Sequence, residues 1–129
     1  LDDDSIAVPA GACGPRLQAW LKELARDRLT AASDRYAVAL GRKYDRITLR
    51  DTRSRWGSCT SDGRLMFSWR LIMAPPRVLN YVAAHEVAHL REMNHSPAFW
   101  ALVERIHGPY AEPRAWLRRE GETLHRYRF

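Results

Sequence analysis

Between Pro76 and Trp100 the chain reads PRVLNYVAAHEVAHLREMNHSPAFW, and the His85-Glu86-x-x-His89 within it constrains the fold more than any other feature. Residues four apart meet on one face of an α-helix, so two imidazoles at this spacing converge on a single ion only if the segment is helical. The surroundings agree. Leu79, Val82, Ala83 and Leu90 supply an apolar face, and Pro76 suits a first helical turn, so a helix is predicted from about Pro76 to Arg91. Imidazole nitrogens suit zinc, which lowers the pKa of a coordinated water to about 7. Glu86, next to the first histidine, can take a proton from such a water without binding the ion. His85 and His89 are therefore candidate metal ligands and Glu86 a candidate catalytic base. The bland alternative, a pair of packed histidines, is disfavoured because three of the five histidines fall within residues 85–95.

His95 is the natural third ligand. In an unbroken helix it would stand about 15 Å along the axis from His85, so the chain has to turn back near Glu92–Asn94. Ser96-Pro97 is a start signal for the next helix. The spacing HExxHx5H is that of the metzincin proteases, but Glu92 stands where those have Gly, so their turn is not expected here. Glu104, on the following helix, is the competing third ligand. Phe99, Trp100, Leu102, Val103 and Ile106 give that helix an apolar face to set against the first.

The rest of the chain supplies a small α+β frame. From Pro15 to Leu40 a helix is predicted, with Leu17, Trp20, Leu21, Leu24 and Arg28 on one face, continued by Leu29, Ala32, Tyr36 and Leu40, and with Gly41 as its cap. Residues 46–51 alternate polar and apolar. Arg55–Thr60 and Arg64–Arg70 flank Asp62-Gly63, a hairpin signal. A small antiparallel sheet of about three strands is expected between residues 46 and 71. Residues 1–14 read as a tail or connector, and 15–129 as one domain. With 129 residues, 46% apolar and 28% charged, the chain is globular, and no apolar run is long enough to span a membrane. Cys13 and Cys59 are no disulfide framework and are expected as free thiols.

Arg55-Trp56-Gly57-Ser58-Cys59, Gly63, Trp69-Arg70-Leu71, Pro76, Tyr81-Val82, the HExxH and His95-Ser96-x-x-Phe99-Trp100 together resemble the YgjP-like metallopeptidases, a bacterial branch of the zincins. The resemblance covers roughly residues 15–120. It implies a minimal zincin-like domain, Zn2+ as the cofactor, a protein or peptide substrate and a cytoplasmic location. It extends distantly to SprT-like and WLM proteases, some of which cut DNA-bound proteins. Members usually carry a further N-terminal β-rich segment, so this chain is expected to be a C-terminal fragment.

The function expected is a zinc-dependent endopeptidase. Arg55, Gly57 and Tyr81 are candidate substrate-binding residues: Arg55 could hold a carbonyl or carboxylate, Gly57 admits a close backbone, and Tyr81 stands one turn before His85. Trp56 and Cys59 are read as packing residues. The alternatives are a zinc hydrolase acting on another amide and a zinc-containing nucleic-acid-binding module. The latter draws on the charge: 21 Lys+Arg against 15 Asp+Glu, of which Asp2, Asp3 and Asp4 leave residues 5–129 at +9. Arg-rich segments at 42–55 and 114–128 are candidates for weak polyanion binding. A structural zinc is normally closed by four protein ligands and only three are at hand, which weighs against the binding module.

Overall fold

The computed structural model describes residues 14–129, so the predicted tail and Cys13 fall almost wholly outside the described residues. Helix α1 runs over Pro15–Leu40, with Pro at its first turn and Gly41 closing it at φ 77° while its N–H caps the carbonyls of Ala37 and Val38. That conformation is one only glycine adopts without strain. Leu21, Ala25, Leu29, Ala32, Tyr36, Ala37 and Leu40 form the buried stripe. Trp20, expected on it, is 52% exposed, because it sits 100° round the helix from Leu21.

The sheet holds β1 (Arg46–Arg50), β2 (Gly57–Cys59) and β3 (Arg64–Ser68) in the order β1-β3-β2. The β2–β3 hairpin is antiparallel as expected, with Gly63 at φ 87° in its turn. The expectation of an all-antiparallel sheet is corrected: β1 pairs with β3 in parallel, Ile47 opposite Leu65 and Leu49 opposite Phe67. Six residues separate β1 from β2, too many for a tight hairpin. Asp51 in that connection is tied to Arg70, and the Thr52 hydroxyl donates to the Arg55 carbonyl at 2.8 Å. The connection thus swings wide, and β3 inserts between the two earlier strands.

A 3₁₀ segment, Trp69–Met73, leads from β3 to α2 (Pro76–Ala88), followed by α3 (Pro97–His107), α4 (Ala111–Glu120) and a second 3₁₀ segment, Gly121–His125. The core joins α1, β3, the first 3₁₀ segment and α2. Phe67, Trp69, Leu71, Val78 and Val87 are at most 1% exposed. Each such side chain contributes about 1.5–3 kcal/mol relative to exposure. Ala83, Ala84 and Ala88 are fully buried, and these small residues let neighbours close on α2 from several sides: α1, α3, α4 and β2 all touch it. The site is therefore built on the most enclosed helix of the fold.

Candidate metal centre and cleft

Helix α2 stops at Ala88, one turn earlier than predicted. Its end tightens through bonds from the N–H groups of His89, Leu90 and Arg91 to carbonyls three residues back. The reversal needs no left-handed residue, since among the described residues only glycines have positive φ. Ser96 then caps α3, its hydroxyl accepting from the Phe99 N–H at 3.3 Å.

The turn folds His95 back onto α2. His95 Nε2 lies 3.2 Å from His85 Nε2 and 3.1 Å from His89 Nε2. His89 Nδ1 donates to the Glu92 carbonyl at 2.9 Å, which leaves its Nε2 with a bare lone pair. His85 Nδ1 faces the Tyr81 hydroxyl at 3.4 Å and is the nitrogen placed to carry that ring's proton. Burial first, then His89, His95 and Arg114, pull His85 down to about 3, and burial likewise lowers His89, so these rings are neutral. Three imidazole nitrogens converging in this way are a donor set that fits zinc: with Zn–N bonds of about 2.0–2.1 Å, ligands at two corners of a tetrahedron lie about 3.3 Å apart. The rings are held by aromatic neighbours. Phe99 stacks on His89 at 4.3 Å and Trp100 on His95 at 5.9 Å. Both were read from the sequence as helix-packing residues; they pack on the imidazoles themselves. Glu104 lies exposed on α3 and outside this cluster.

Beside the cluster, Glu86 is 6% exposed, and burial pushes its carboxyl up to about 8 against an opposing pull from Arg55. It sits against Gly57 of β2. A Cβ there would stand 2.8 Å from Glu86 Cγ and 3.0 Å from Oε2. The close approach that Gly57 allows is thus made by the glutamate.

A cleft of about 420 Å³ opens on these groups. Arg55, Gly57, Tyr81, His85, Glu86, His89 and His95, all singled out in the sequence, line it together. Trp56 and Cys59 line it too. Trp56 is held by a stack on His125 at 5.1 Å and by the edge of Gly121. Burial, with lesser contributions from Glu86 and Asp62, pushes the Cys59 thiol up to about 11, so it is protonated. Met93 and Leu117 also line it and had no local sequence signal. Tyr81 is 4% exposed and stacks on Tyr110.

The family model for the YgjP-like metallopeptidase domain matches residues 8–120. In fold, the chain is similar to the crystal structure of the metallopeptidase zymogen of Pyrococcus abyssi abylysin. The TM-score is 0.58 at 21% sequence identity, over 81% of this chain and 99% of that one. No curated protein matches the chain.

Proposed function

The chain belongs to the YgjP-like metallopeptidase family and is thereby a hydrolase; from that premise we propose a zinc-dependent endopeptidase whose ion is held by His85, His89 and His95, with Glu86 as the general base. The observation that carries this reading is the convergence of three imidazole nitrogens beside a buried carboxylate in one cleft. A bound zinc ion would supply Lewis-acid activation of water and polarisation of the scissile carbonyl. Glu86 accepts the proton of the attacking water on its carboxylate and returns it to the departing amine. Its burial makes it a stronger base than a solvated glutamate, and Gly57 leaves it room beside the histidines. Tyr81 acts through His85, holding the proton on Nδ1 so that Nε2 stays free. β2 is a sheet edge bordering the cleft, so an extended substrate can add alongside Gly57–Cys59 by backbone hydrogen bonds. Arg55 stands at the end of that strand to hold a substrate oxygen. Among the described residues no helix is long and apolar enough to cross a membrane.

The test is Glu86→Gln. We expect the variant to bind one zinc per chain while peptide or casein hydrolysis falls by about 10² or more. Undiminished hydrolysis in the zinc-loaded variant refutes the mechanism.

A further inference from the structure

One arginine lines the cleft and two flank a residue that lines it, and among the described residues none of their guanidinium groups lies within ion-pair distance of a carboxylate. Arg55 lines the cavity beside β2. Arg114 and Arg118 stand one turn apart on α4 and flank Leu117, which lines the same cavity. Arg114 is held in place by a ring: its Cζ is 4.6 Å from the Trp100 centroid, and that ring is 5.5 Å from His85. The neighbouring acids are committed elsewhere. Glu112 pairs with Arg77, Glu120 faces Arg119 at 3.9 Å, and Asp51 binds Arg70. Among the described residues Glu86 is the one carboxylate lining the cavity, and it is buried. The apolar part of the lining is Trp56, Val82, Met93 and Leu117.

A guanidinium is a fork-shaped receptor for a carboxylate. Resting on the peptidase reading and deepening it, we propose that the cleft selects peptide segments with acidic side chains on either side of an apolar residue, Arg55 receiving one carboxylate and Arg114 with Arg118 the other. Nucleic acid is the less favoured occupant. Trp56 and Trp100, the aromatics that bases would stack on, already stack against His125 and Tyr110.

The experiment uses two fluorescein-labelled peptides that differ only in Glu or Gln on both sides of a central Leu. Both are titrated onto zinc-loaded Glu86→Gln protein, with cleavage by the unmodified protein followed in parallel. The Glu peptide should bind about 10- to 100-fold more tightly at physiological salt. Arg55→Gln and Arg114→Gln should each shrink that ratio several-fold. Arg28→Gln removes the same charge from α1, outside the cleft, and should leave the ratio in place. Equal affinities, or equal shrinkage with Arg28→Gln, overturn the proposal. So does displacement of the peptide by a DNA oligonucleotide at physiological salt. Tighter Glu-peptide binding with neither peptide cleaved keeps the acidic preference and refutes the peptidase reading; cleavage of both with equal binding does the reverse.

Discussion

Arg70 and Glu86 are each 6% exposed, two residues beyond β3 and two residues before the end of α2. Arg70 is fully engaged. Its Nε and Nη2 donate to Asp51 at 2.7 and 3.2 Å, and its Nη1 donates to the carbonyls of Leu124 and Tyr127 at 3.0 and 2.9 Å. It also lies over the rings of Trp69 and Phe129. Glu86 has no hydrogen-bond partner among the described residues, and only the pull of Arg55 opposes the effect of its burial. A carboxyl buried without a partner is held toward its neutral form, because ionising it there is costly. The satisfied arginine ties the C-terminal segment to the strand connection. The unsatisfied glutamate keeps a proton-accepting group poised in a cleft. The same degree of burial thus marks a clamp in one place and a reactive group in the other, and only the partner inventory tells them apart.

The contrast is broken most severely at the metal cluster. His95→Ala should weaken zinc affinity by more than the about 10²-fold typical of changes outside the ligand shell, read by competition with a chromophoric chelator. One tight zinc per chain in that variant would remove His95 from the ligand set and turn attention to Glu104.

Next in size comes the clamp. Arg70→Met should cost about 2–4 kcal/mol, because two carbonyls lose their donor and Asp51 its partner. Denaturant unfolding measures this, and an unchanged midpoint would show that the clamp is dispensable. The pH dependence has a definite sign. The hydrogen bonds from Arg70 hold the Asp51 carboxyl below its ordinary value of 3.8. Its contribution is therefore complete above that value and is lost as pH falls through the lower folded one. Asp51 is 45% exposed, so screening keeps the effect under about 1 kcal/mol. Asp51→Asn should flatten the acid limb of the stability profile by that amount.

Gly57→Ala sharpens the comparison from the Glu86 side. The added methyl must displace Glu86 or the Met66 carbonyl, 3.1 Å away, so kcat should fall about 10-fold with zinc content unchanged. A rate equal to that of the unmodified protein would mean that the glutamate has room to spare. Smallest is polyanion binding by the Arg-rich segments at 42–55 and 114–128. It should be weak, indifferent to sequence and gone by about 200 mM salt. A salt titration with labelled DNA checks it, and binding that persists at that salt would indicate a dedicated nucleic-acid site.

Much of the frame was legible because it is local. Pro15, Gly41 and Pro76 mark helix ends by fixed φ or by tolerance of positive φ, and Asp62-Gly63 marks the hairpin. The candidate ligands were legible for the same reason, since a spacing of four on a helix is itself a geometry. The parallel pairing of β1 with β3 was not legible, because strand order depends on how far the 51–56 connection swings, and that is set by Arg70 nineteen residues away. Nor was the early end of α2, which the His89 bond to the Glu92 carbonyl stabilises once the turn has formed.

The sequence by itself determined that two histidines share a helical face with a glutamate beside it, that a third histidine follows a break, and that the chain is rich in arginine. Tertiary structure alone decided which glycine faces Glu86, which aromatic rings hold the imidazoles, and which of the nineteen arginines stand unpaired at the cleft while one is buried as a clamp. The physical reason is range. Backbone periodicity and turn chemistry act over a few residues and can be read in order along the chain. Burial, desolvation and charge pairing depend on what packs opposite, and here the groups that meet come from β2, α2, the turn that follows it and α4, up to some sixty residues apart in sequence.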